Sequence, residues 1–134
     1  MLRSLGDHIR RRRLDLGLWQ RTVASRLGVS VETVAHWEKG RVEPLPRQYP
    51  GLIRFLGYDP TGEVSSIGSR LRTLRRQLGL TQAEFAARLG LDEGTVSGWE
   101  SGVRRPSAWR WRRLEPILVD LEHAARDPGR SLEG

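Results

Sequence analysis

LGLTQAEFAARLGLDEGTVSGWESGVRRPS, residues 78–107, decides the fold. Thr81 and Glu84 are spaced as a capping box: the Thr hydroxyl accepts an early backbone N–H and the Glu reaches back. A helix from this box runs to about Leu89, and Gly90 breaks it. Asp92 can cap the next helix, which carries Val96 and Trp99 on its inner side and is closed by Gly102 and Pro106. Upstream, Ile67, Leu71, Leu74 and Leu78 recur at helical spacing, and Gly79 ends that helix. Downstream, Leu114, Ile117, Leu118 and Leu121 mark a further helix with these side chains inward.

The same plan occurs twice. Residues 5–44 written over 67–106 match without a gap at an offset of 62, with seventeen of forty positions identical. The identities include Gly6/Gly68, Arg13/Arg75, Gln20/Gln82, Gly28/Gly90, Thr33/Thr95, Trp37/Trp99 and Glu38/Glu100. In the first copy Leu5, Ile9 and Leu16 form the first apolar stripe. Val23, Ala24 and Leu27 serve the second helix, Val34 and Trp37 the third, and Leu52, Ile53 and Phe55 a later one. Two copies are too few for a solenoid. The expected organisation is a first domain over 1–57, a linker over 58–66, a second domain over 67–124 and a flexible tail over 125–134. Ser65 and Ser66 are candidate caps at the linker's end.

Charge narrows the function. Against 16 Asp+Glu stand 23 Lys+Arg, giving +7, and Lys39 is the only lysine. This excess implies a polyanionic partner, nucleic acid before membrane. Arginine suits phosphate through its planar fork, although a GC-rich genome also enriches it. Residues 1–62 hold 11 basic and 6 acidic groups, +5, and the remainder 12 and 10, +2. The run Arg10 to Arg13 adds local positive field. Without cysteine the chain has no disulfide, thiol nucleophile or Cys-ligated zinc. It has no apolar run of membrane-spanning length and no leader-like start, so a cytoplasmic address is expected.

The stretch 78–107 resembles the Xre-type helix-turn-helix family, to which the phage Cro and repressor proteins belong. LGLWQRTVASRLGVSVETVAHWEKGRVEPLP, residues 16–46, is similar to the same motif. The Gln, the Ala, the Leu-Gly break, the Val and the Trp-Glu-x-Gly all fall at the family's spacing. The resemblance implies an all-α fold, two tandem lambda-repressor-like helix-turn-helix domains of about five helices each. It also implies structural ion pairs Arg13–Glu38 and Arg75–Glu100, tying the first helix of each unit to the third. Arg13 and Arg75 lie in line with the apolar stripe, where an unpaired guanidinium is costly. Trp37 and Trp99 are expected beneath the third helix as core. Trp109 and Trp111 lie two apart, so both cannot face one core, and packing rather than a dimer contact is expected for them.

The resemblance further implies double-stranded DNA as partner, with a third helix in the major groove and the start of the second helix against phosphate. Gln20 and Gln82 occupy that start. The expected phosphate contacts are Gln20, Arg21, Thr33, Lys39 and Arg41 in unit one, and Gln82, Thr95, Arg104 and Arg105 in unit two. The expected base-reading positions are Val31, Glu32, Ala35 and His36, and Glu93, Gly94, Ser97 and Gly98. Val31 suits a thymine methyl, Glu32 or Glu93 cytosine N4, and Ser97 either edge. Neither face carries Arg, Asn or Gln, the usual bidentate readers, and Trp19 replaces the capping Thr81, a loss of about 1 kcal/mol. The resulting expectation is a transcriptional regulator, a repressor, in which at least one unit binds DNA. The alternative is a protein-interaction adaptor or antitoxin-like component with a degenerate reading face. Association as a homodimer or with a partner protein fits either. Catalysis, cofactor, metal and small-molecule substrate are not expected: His8, His36 and His123 are far apart, and the glycines sit at helix ends rather than in a phosphate-binding loop.

Overall fold

Side-chain caps set most of the helix starts. The computed structural model describes residues 4–60 and 64–126. Among them are eight α-helices and no strand. Unit one contains α1 (Leu5–Asp15), α2 (Gln20–Leu27), α3 (Val31–Glu38), a 3₁₀ turn (Pro46–Gln48) and α4 (Tyr49–Leu56). Unit two contains α5 (Ile67–Leu78), α6 (Gln82–Leu89), α7 (Glu93–Ser101) and α8 (Ala108–Arg126). Unit one thus reaches five elements only with its 3₁₀ turn. Unit two has four, because a single helix of 19 residues follows α7.

Ser4, Ser30, Ser66, Thr81 and Asp92 each accept a backbone N–H at the helix they cap. Trp19 precedes α2 and makes no such bond. The α2–α3 and α6–α7 turns pass through Gly28 and Gly90, both at φ +69°, a left-handed conformation that glycine adopts at no steric cost. These turns set the third helix of each unit across the second.

Each unit has its own core. In unit one Ile9, Val23, Val34, Trp37 and Leu52 are buried together. In unit two Leu71, Leu74, Phe85, Val96, Trp99 and Leu118 play that part. Both tryptophans are buried, as expected. Gly6 and Gly68 let the first helix approach the end of the third. A Cβ on Gly68 would stand 2.6 Å from the Trp99 carbonyl oxygen and 2.7 Å from that of Glu100, and one on Gly6 would meet the Trp37 carbonyl oxygen more closely still.

Three apolar expectations need correction. Leu16 is 43% exposed, because α1 stops at Asp15 and Leu16 becomes its C-cap. Ile117 is exposed, since the buried stripe of α8 follows Leu114, Leu118 and Leu121 and leaves Ile117 at its edge. Of the two neighbouring tryptophans only Trp111 packs on the core; Trp109 is 66% exposed.

The boundaries also shift. The Tyr58 hydroxyl lies 2.6 Å from His8 Nδ1, so the start of the expected linker is fastened to unit one. Ser66, at its end, caps α5. Ala125 and Arg126 belong to α8 rather than to a tail, and Ala125 packs against the second core. The middle of the linker, 61–63, and the rest of the expected tail, 127–134, lie outside the described residues. No described helix is long and apolar enough to cross a membrane.

Candidate nucleic-acid interface

The interface is organised by one buried ion pair per unit. Arg13 Nε and Nη2 donate to Glu38 at 2.7 and 2.9 Å, and Arg75 Nε and Nη2 to Glu100 at 2.8 and 3.0 Å. Both carboxylates are almost wholly buried. Each arginine also donates to a backbone carbonyl after the first helix, Leu18 or Leu80. Hydrogen bonding to Glu38 raises the Arg13 pKa above its ordinary value, although burial opposes it. The expected pairs Arg13–Glu38 and Arg75–Glu100 are therefore formed.

A third partner joins each pair. Gln20 Nε2 donates to Glu38 Oε1 at 3.2 Å, and Gln82 Nε2 to Glu100 Oε1 at 3.2 Å. The glutamine at the start of the second helix is thus held by the same carboxylate that ties the first helix to the third. Sequence reading placed these glutamines at phosphate and missed this tether. A signal was present: both Gln–Glu spacings are 18 and both recur at the offset of 62.

The third helices present their outer positions unequally. Val31 and Glu32, and Glu93 and Gly94, are exposed; Ala35, His36, Ser97 and Gly98 are half-buried. Thr95, an expected phosphate contact, is only 8% exposed, its backbone N–H donating to the Asp92 carboxylate at 2.7 Å. Thr33 is half-buried, its hydroxyl 2.8 Å from that of Ser30. Arg21, Lys39, Arg41, Arg104 and Arg105 are all exposed around the two motifs. Arg21 stacks on Trp19, 5.5 Å from the ring centre.

The arginine run of α1 is not a uniform field. Arg11 pairs with Asp15 at 3.2 Å, Arg12 donates to the Phe55 carbonyl at 3.0 Å, and Arg13 is committed to Glu38. Arg10 remains. With Arg13, Gln20, Glu38 and Lys39 it lines an open cleft of about 360 Å³ at the junction of α1, α2 and α3. Neither Arg10 nor Lys39 has a hydrogen-bond or ion-pair partner among the described residues. In unit two the equivalent Arg72 is engaged, donating to the Glu100 carbonyl at 3.1 Å, and Ser101 replaces Lys39. Unit one therefore has the stronger local cation pair.

Elsewhere Arg70 grips Glu122 through two bonds of 2.9 and 2.8 Å and Glu115 through one of 3.1 Å, locking α5 to α8. Among the described residues no three acidic or histidine side chains gather in a group able to hold a metal.

Two family models match the chain. A helix-turn-helix domain covers residues 4–63 and a second helix-turn-helix model covers 71–115. The chain carries two helix-turn-helix domains in tandem, of the Xre type. These tandem helix-turn-helix domains point to a DNA-binding regulator. No curated protein and no solved structure matches the chain.

Proposed function

We propose that this tandem helix-turn-helix protein is a transcriptional repressor in the bacterial cytoplasm, binding duplex DNA by placing α3, α7 or both in the major groove. The observation that carries this reading is the Arg–Glu–Gln arrangement, identical in both units. It ties the start of the second helix to the C-terminal end of the third, which supports a reading in which helix amides and glutamine there meet phosphate while the third helix enters the groove. Lys39 and Arg41 beside α3, and Arg105 after α7, supply flanking charge. Phosphate contacts of this kind add strength without sequence information. On this reading the protein acts by binding rather than catalysis, without cofactor or metal: His8 is engaged with Tyr58, and Glu38 and Glu100 are committed to arginine.

The test is duplex binding across a salt series. Affinity falls steeply with salt in proportion to the phosphates neutralised. Arg41→Ala lowers the logarithmic slope by about one, and Gln20→Ala or Gln82→Ala weakens binding. A flat salt response shared by wild type and all three variants overturns the reading. It would favour a protein-interaction adaptor, the second reading, for which the exposed Trp109 beside Arg113 and the exposed Ile117 and Val119 on α8 speak.

A further inference from the structure

The outer face of α7 is nearly bare. Its outward positions are Glu93, Gly94, Ser97 and Gly98, and the two glycines bring no side chain to a groove. A side chain from outside the helix lies in the gap. Arg104 follows α7, and its backbone N–H donates to the Gly98 carbonyl at 3.1 Å. Its methylenes cross Gly98: a Cβ on that glycine would stand 3.1 Å from Arg104 Cδ, 3.3 Å from Cγ and 3.4 Å from Cβ. Gly98 has ordinary helical backbone, so its conformation does not call for glycine. What the missing side chain provides is room for Arg104.

The head of Arg104 is exposed and makes no hydrogen bond or salt bridge among the described residues. Its charge nevertheless reaches Asp92, the cap at the start of α7. The Asp92 carboxyl is held below its usual range by hydrogen bonds from Thr95 first, then by Arg110 and Arg104. The guanidinium is thus carried on the third helix. In unit one His36 stands at the position of Gly98 and Val42 at that of Arg104, so the arrangement belongs to unit two alone.

We propose that Arg104, laid over the side-chain-free surface at Gly98, is a specificity-determining residue of unit two that reads a guanine in the major groove rather than a phosphate. Guanine offers two acceptors, O6 and N7, on its major-groove edge, and a donor-only fork matches them. A stem already lying on the helix loses less freedom on binding than a free arginine. This inference rests on the DNA-binding reading above and deepens it.

Selection of bound sequences from random duplexes, with the full chain, separates the two. Wild type is compared with Arg104→Lys, which keeps the charge, and Gly98→Ala, which keeps Arg104 and improves helix propensity. The expected result is a guanine preference in wild type that both variants lose by about tenfold or more at the same base pair, with the salt slope unchanged. Arg104→Lys weakening all sequences equally, or Gly98→Ala leaving the preference intact, overturns the assignment. A wild type that binds duplexes with no guanine preference overturns it too while leaving the DNA-binding reading standing. A wild type that binds no duplex at low salt removes both.

Discussion

Arg13→Met and Arg75→Met remove the same guanidinium from two copies of one arrangement, yet their costs differ. Leaving the partner of a buried pair alone costs roughly 3–5 kcal/mol. In unit one the orphaned Glu38 keeps only the Gln20 amide at 3.2 Å. In unit two Glu100 keeps the Gln82 amide at 3.2 Å and also has Arg72 Nε at 3.8 Å. At that distance two unit charges attract by about 4 kcal/mol for an effective dielectric near 20. Arg72 is close to half exposed, so solvent screens most of this and about 1 kcal/mol survives. Arg13→Met is therefore the costlier by about 1 kcal/mol. A unit of this size holds about 3–9 kcal/mol in all, so either loss is large. Hydrogen exchange by mass spectrometry on the full chain reads the two units separately. The amides of α1–α3 in Arg13→Met should exchange about fivefold faster, relative to wild type, than those of α5–α7 in Arg75→Met. Adding Arg72→Ala to Arg75→Met should remove the difference. Equal losses in the two single variants, or no further loss in the double variant, would refute the cushioning role of Arg72.

Trp19→Thr gives α2 the hydroxyl cap that Thr81 gives α6, and should raise the urea midpoint by an amount worth about 1 kcal/mol. Gly68→Ala improves helix propensity by about 1 kcal/mol but drives a methyl into the Trp99 and Glu100 carbonyl oxygens, which are backbone and cannot yield. Overpacking of about 1–3 kcal/mol should win, and a lowered melting temperature checks the sign. Arg70 holds the Glu122 carboxyl below the usual carboxylate range. Its contribution is therefore complete above the unfolded pKa and fades as pH falls through the folded one, so Glu122→Gln should destabilise near pH 7 and cost progressively less as urea titrations are taken to pH values below the unfolded pKa.

Most of the helices were legible because their starts and stops are local chemistry. Thr81 and Glu84, Asp92, Gly79 and Gly90 act on neighbouring backbone and do as their types dictate. The Arg–Glu pairs were legible for a different reason: the family resemblance implied them, and an arginine in line with an apolar stripe needs a partner. Leu16 and Ile117 were misread because periodicity alone does not say where a helix stops or how wide its buried stripe is. The burial of Thr95 was not legible, because a residue early in a helix can turn inward and only packing shows which way. The tethers of Gln20 and Gln82, the bond from Arg72 to the Glu100 carbonyl and the crossing of Gly98 by Arg104 join residues whose meeting depends on tertiary geometry. No local propensity announces them.

The internal repeat separates what holds a unit together from what a unit presents. Gly6/Gly68, Arg13/Arg75, Gln20/Gln82, Trp37/Trp99 and Glu38/Glu100 are identical and mutually packed, so none can change alone without a cavity, a clash or an orphaned charge. The outward pairs all differ: Val31 against Glu93, Glu32 against Gly94, Ala35 against Ser97, His36 against Gly98 and Lys39 against Ser101. On the proposed reading, two equal scaffolds with unequal faces should read unequal sequences, since base preference resides in the outward side chains. One chain occupying two adjacent half-sites should therefore select an asymmetric site. A palindrome needs the same face twice, which a single chain does not offer and two copies related by a two-fold axis do. Duplex selection combined with the mass of the complex discriminates between these. An asymmetric motif bound by one chain is the expected outcome, and a palindromic motif bound by one chain would contradict the unequal roles assigned to α3 and α7.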